Sequence, residues 1–368
     1  MPSVTARRLP ILVGGMLGLL AGLLAGLGRL GWNMGEAADL AALHGPLMVM
    51  VFLGTLIPLE RAVALGHPLA LLAPALSVVG GAGLVAGLPR WLAGGFLVLG
   101  AVGLVVILAI LRSREPAAHM AALLVAAVTI AGADVAWVLG APPWQVAWGW
   151  AAGLVLTIAA ERLELARLAR PPAWARNLFL ALVAWVVGAA VVQAVVPSLG
   201  RPLLAVGLLA LTGWLLRFDL GLRSFGRPGL PRFVATCLLI GYGWLAFAAL
   251  LLLAGGTRVA GPVYDAQLHA VFVGFVFSMI LGHAPVVFPA VLRVPVPLRS
   301  VSWVPLWLLH ASLIVRVVGD LVGGPPVGGV SLRALGGAVN VVAILLFLLT
   351  TAGSAAWAVM GRERAGER

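Results

Sequence analysis

Residues 91–111 read W-L-A-G-G-F-L-V-L-G-A-V-G-L-V-V-I-L-A-I-L, a run of 21 residues without a charged side chain. About 20 such residues wound as an α-helix cross the roughly 30 Å hydrocarbon layer of a bilayer. Arg90, Arg112 and Arg114 bracket the run, where a spanning helix would meet the headgroups. The pattern decides the fold class because it recurs along the whole chain.

Working outward from it, twelve apolar segments are expected at 9–30, 40–59, 69–88, 91–111, 118–139, 145–165, 175–196, 202–219, 233–254, 267–291, 302–322 and 334–358. Short turns rich in Gly, Pro and Arg separate them. Nothing is left over for a soluble domain, so residues 1–368 read as one all-α, polytopic membrane domain whose first partner is the lipid bilayer. Composition agrees: 62% of residues are hydrophobic and 10% charged, against about 25% charged in a soluble domain. The mean hydropathy is +1.12. An ordinary cytosolic enzyme and a disordered chain are both excluded. The first segment follows Arg7 and Arg8 but is too long for a signal-peptide core and lacks a clear cleavage site, so it is expected to be retained.

The 24 basic residues are all arginine and face 12 acidic ones, giving a formal charge of +12. Short cytoplasmic loops are enriched in basic residues. A cytoplasmic N-terminus places eighteen arginines on that side and leaves Arg29, Arg90, Arg201, Arg258 and Arg333 outside, with Arg316 inside a helix. An even helix count returns the C-terminus to the cytoplasm, in a bacterial inner membrane. The basic excess is therefore a topology signal with affinity for anionic headgroups, and nucleic acid is not an expected partner. The single cysteine, Cys237, rules out a disulfide framework and a cysteine-based metal cluster. Gly14, Gly18, Gly22 and Gly26 make a smooth stripe on the first helix, which suits close helix packing before it suits a flat cofactor. No internal repeat stands out, which disfavours an inverted-repeat transporter.

Ionisable groups inside a membrane are costly and mark function by default. His67 sits in a turn beside Pro68 and is expected to be solvated, whereas His44, His119, His269, His283 and His310 are embedded or nearly so. His269 and His283 share the tenth segment, in D-A-Q-L-H-A-V-F-V-G-F-V-F-S-M-I-L-G-H-A-P. In an ideal α-helix their spacing leaves them about 40° apart around the axis and about 21 Å apart along it. One histidine near each membrane face, looking to one side, would suit two haems stacked across the bilayer. Haem iron takes neutral imidazole, and the opposing ligand must come from another helix at the same depth. His44 matches the depth of His269, and His310 that of His283, with His119 somewhat lower. Gly45, Gly274 and Gly282 could let a macrocycle lie against the backbone, while Pro285 and Pro289 predict a kink that frees carbonyls beside His283.

Other charged groups are expected to serve structure. Arg316 and Asp320, four apart, predict an ion pair, with a haem propionate as the alternative partner of Arg316. Glu60 and Arg61 should sit at the headgroups, and Glu161, Arg162, Glu164 and Arg167 should form an interfacial net. Asp134 lies within the fifth segment and needs a partner such as the Trp137 N–H, water or an arginine.

Residues 43–65, L-H-G-P-L-M-V-M-V-F-L-G-T-L-I-P-L-E-R-A-V-A-L, and 268–292, L-H-A-V-F-V-G-F-V-F-S-M-I-L-G-H-A-P-V-V-F-P-A-V-L, resemble the NnrS-like family. That resemblance implies a twelve-helix, haem-containing bacterial membrane protein, reported in the family with copper, linked to nitric-oxide stress and denitrification. In wider outline the chain is similar to the catalytic subunit I bundle of haem-copper oxidases and nitric-oxide reductases, where the second and tenth helices supply the low-spin haem ligands. His44 and His269 occupy the matching positions. The further histidines that this superfamily carries on its sixth, seventh and tenth helices are missing, so an oxidase-type binuclear centre is not expected. Copper would require His119, His310 or Met side chains to converge in space.

The resulting expectation is a membrane protein holding one or two b-type haems, with His44–His269 as the first axial pair and His283–His310 as the second. Its role would be electron transfer or a nitric-oxide-linked response, with a respiratory electron-transfer partner or a quinol beside it. Any turnover would be that of an oxidoreductase. The rival classes are a transporter or channel whose path is lined by His269, His283 and Asp134, and an assembly partner of a respiratory complex.

Overall fold

The structure is a computed structural model that describes residues 4–323 and 329–364. Twelve of its helices are long and apolar enough to cross a membrane, and no strand occurs among the described residues. They are α1 (Arg7–Arg29), α2 (Asp39–Leu65), α3 (Pro68–Val85), α4 (Arg90–Arg114), α5 (Ala118–Val138), α6 (Pro143–Ala169), α7 (Ala173–Val195), α8 (Pro197–Phe218), α9 (Leu230–Ala254), α10 (Pro262–Val291), α11 (Ser300–Val322) and α12 (Leu332–Met360). The chain is a multi-pass membrane protein. Large apolar side chains such as Leu17, Leu99, Val128, Leu250 and Leu349 stand exposed around the bundle. A water-soluble protein would hide such patches, but a bilayer solvates them.

Short connections make sequential helices pack as neighbours, and α12 returns to lie against α1. The least apolar helix sits deepest. Some 83% of the apolar stretch of α6 is buried, against 33% for α4, because only a helix shielded by protein can carry fewer lipid-compatible residues.

The boundaries differ from expectation chiefly at three places. α2 runs on to Leu65 rather than 59, since Arg61 pairs with Glu161 of α6 instead of turning to headgroups. α8 starts at Pro197 and continues through Pro202, whose missing N–H costs the helix one bond, that to the Ser198 carbonyl, near its start. α10 begins five residues early at Pro262, a residue suited to the first helical position.

The glycine stripe of α1 packs helices together, as its spacing suggests. A Cβ on Gly14 would fall 2.4 Å from Val78 of α3, on Gly18 2.5 Å from Val51, and on Gly22 2.7 Å from the Met48 sulfur of α2. Further along the stripe, a Cβ on Gly26 would fall 2.9 Å from Cε1 of His44.

Candidate functional site

The ring of His44 rests in that gap. Its Nδ1 lies 2.8 Å from the carbonyl oxygen of Gly22 on α1. On α10, His269 follows Asp265 by one helical turn, and its Nδ1 lies 2.9 Å from the Asp265 carbonyl oxygen. A carbonyl only accepts, so each Nδ1 carries a proton and, in neutral imidazole, each Nε2 keeps its lone pair. The two rings face each other with centroids 6.1 Å apart and planes 11° from parallel.

Two imidazoles joined through Nε2 to one metal ion place their centroids roughly 6 Å apart, given a metal–nitrogen bond of about 2.0–2.1 Å. Offset aromatic pairs span about 4.5–7 Å as well. What distinguishes this pair is that both Nδ1 atoms are committed to backbone carbonyls, the arrangement that orients a metal-binding histidine.

Both histidines also precede a rare winding of the helix. Leu47–Leu53 of α2 and Ala270–Phe277 of α10 are π-helical, and Phe52 and Phe277 of the two stretches stack with centroids 6.0 Å apart. Such turns are uncommon and concentrate at functional sites. Nothing in the apolar composition of either stretch announces them.

Charges converge behind His269. The Asp265 carboxylate accepts from Arg316 at 2.7 Å and lies 3.4 Å from both Arg333 Nη2 and His269 Nδ1. The expected Arg316–Asp320 pair does not form, because Arg316 turns to α10 and Asp320 instead lies 2.9 Å from Nε of Arg333. Sequence reasoning passed over Asp265 and Arg333. Asp265, four residues before a histidine, was the visible signal.

Residues 8–356 match the family described as a domain of unknown function, DUF8744. The chain belongs to the DUF8744 family. No curated protein matches it.

At the other end of α10 the DUF8744 chain treats its second histidine differently. His283 again sets Nδ1 against the carbonyl one turn back, that of Met279, at 2.7 Å. Its Nε2 accepts from the Arg162 guanidinium of α6 at 2.5 Å. His310 of α11 takes other partners, with Nδ1 accepting from Trp244 Nε1 at 3.1 Å and Nε2 lying 3.4 Å from the Ser278 hydroxyl. The proposed second axial pair, His283 with His310, is therefore not brought together. Between His269 and His283 the π-helical stretch winds more residues into each turn than 3.6, so faces computed for a straight α-helix no longer hold.

His119 does not meet His310 either. It lies 3.9 Å from Glu115 and from Glu164, and 3.3 Å from Arg167. Arg167 donates to Glu115 at 2.8 Å, and that hydrogen bond holds the exposed Glu115 carboxyl below the usual range. No group of three or more His, Cys, Asp or Glu side chains able to hold a metal ion occurs among the described residues.

The glycines expected to seat a macrocycle on α10 seat α9 instead. A Cβ on Gly274 would fall 2.4 Å from Cγ of Trp244, and one on Gly282 would fall 3.0 Å from Cβ of Cys237. A Cβ on Gly45 would fall 3.6 Å from the Trp150 indole, and the same indole donates to Asp134 at 2.7 Å. Asp134 thus finds its partner on α6 rather than in Trp137. Arg201, expected in a loop, is fully buried and donates to the Gly256 carbonyl and to Gln267 Oε1, each at 2.7 Å. The expected net on α6 also forms between helices rather than along one: Arg61 joins Glu161, while Arg162 has no carboxylate within 4.0 Å among the described residues.

Proposed function

We propose that the chain is a haem b-binding membrane protein of electron transfer, in which His44 and His269 would hold one haem. The facing pair of imidazoles, each held through Nδ1 by a backbone carbonyl, carries this reading. The residues fit the group chemically: two neutral nitrogen donors on separate helices suit a haem iron, and Arg316 and Arg333 supply cations beside His269 for the propionates. A haem held by these two residues would supply single-electron exchange.

The protein's own contribution is orientation. Asp265 holds Arg316 and stands near His269 Nδ1, which helps fix the orientation of the ring. Gly26 admits the His44 ring, because a Cβ there would fall 2.9 Å from its Cε1. A setting in respiration or nitric-oxide stress, likeness to the NnrS-like family and a bacterial inner membrane with both termini cytoplasmic complete the proposal. The arginine-rich loops support that orientation. The transporter reading finds less support, since His269, His283 and Asp134 each take separate partners.

The test is spectroscopic. Protein purified in detergent from cells with adequate haem supply should show a Soret band and a sharp reduced α-band. His44→Ala and His269→Ala should each abolish the same bands. A colourless wild-type protein, or bands that survive both changes, would sink the assignment.

A further inference from the structure

A cavity of 440 Å³ opens at the arginine-rich end of the bundle, between α1, α2, α6 and α10. Most of its wall is aliphatic, and Leu165 and Val286 stand exposed on its rim, where lipid would lie. Its polar end carries Glu60, Arg61, Glu161, Arg162, Glu164 and His283. The volume falls in the range of about 300–1,000 Å³ typical of small-molecule sites.

Arg162 is the informative group. It is 4% exposed, has no carboxylate within 4.0 Å among the described residues, and its Nε–H has no hydrogen-bond partner. A buried guanidinium left this way is destabilising unless something completes it. Its one side-chain hydrogen bond among the described residues is to His283, a neutral acceptor already held at Nδ1.

We propose that this cavity binds a lipid-soluble quinone or its quinol. The head must offer an acceptor oxygen to Arg162, and a quinone carbonyl does so. It should carry no net negative charge, because two arginines at this end face three glutamates and a carboxylate or phosphate would add to the excess. The reduced form presents O–H groups, which the half-open Glu60 and Glu164 carboxylates accept. An isoprenoid tail suits the aliphatic wall and leaves between Leu165 and Val286 into the bilayer. The site lies at the opposite end of α10 from the His44–His269 pair, and its occupancy is measurable whether or not the chain carries haem.

The experiment titrates the purified full chain in detergent with decylubiquinone, followed by calorimetry, with oleate as the anionic comparison. Saturable binding of one quinone per chain is expected, weakened at least 10-fold by Arg162→Leu. Two cavity-filling changes on opposite walls, Ile158→Trp and Val287→Trp, should weaken it at least as much while the thermal midpoint stays within a few degrees of wild type. Three results would overturn the proposal: no saturation in the wild type, an affinity untouched by both tryptophans in folded protein, or Arg162-dependent binding of oleate in place of the quinone.

Discussion

His269 and His283 begin alike and end differently. Each lies on α10, and each sets Nδ1 against the carbonyl one turn earlier, at 2.9 and 2.7 Å. Across the gap, His269 meets the imidazole of His44, and His283 meets a guanidinium. A cation against Nε2 occupies the lone pair that a metal would need, whereas a second imidazole duplicates it. The chemistry of these two histidines is therefore set by the helix opposite, and α10, which carries both, only fixes the tautomer.

The largest expected effect separates these two ends. His269→Ala should remove the haem absorbance, while His283→Ala should leave the reduced α-band in position and intensity. Equal loss in both variants would erase the contrast and revive a site at each end.

A second, smaller contrast concerns charge. Asp265→Ala leaves Arg316 buried without its carboxylate and should cost about 3–5 kcal/mol, read as a lower thermal midpoint. Arg162→Leu breaks no ion pair and replaces a buried cation with an aliphatic group, so the midpoint should hold or rise. A large loss in Arg162→Leu would show that the guanidinium already has a charged partner.

The smallest effect lies on the exposed margin of the His283 end, at Glu115. Hydrogen bonding to Arg167 lowers the carboxyl pKa in the folded chain. The pair therefore adds stability above the ordinary carboxylate range and loses it as pH falls through the lowered value. Comparing thermal midpoints of wild type and Glu115→Gln between pH 7 and 3 should show a slight deficit for the variant that closes on acidification. A deficit that widens in acid contradicts this sign.

Helix positions were legible because a bilayer imposes one demand, an unbroken apolar length, and residues 91–111 state it without help from the rest of the chain. The starts of α8 and α10 were harder, since Pro202 and the polar Asp265 look like ends when their partners are not in view. His44 and His269 could be paired by depth, because both lie near one end of their helices. Pairing His283 with His310 by the same rule failed. His310 meets Ser278, five residues before His283 on α10, so the two differ in depth, and the π-helical stretch between His269 and His283 also turns the direction that His283 faces. The partners of Arg316, Arg162 and Asp134 were unreadable for a related reason: each bonds to another helix, while sequence spacing ranks only neighbours on the same one.

The acceptors that orient His44 and His269 are main-chain oxygens, those of Gly22 and Asp265. No codon change can delete a carbonyl. A scan that replaces side chains one at a time would report the two imidazoles as indispensable and miss what aims them. It would touch that support only through bulk, at Gly26, where an added methyl would fall 2.9 Å from the ring that α1 holds.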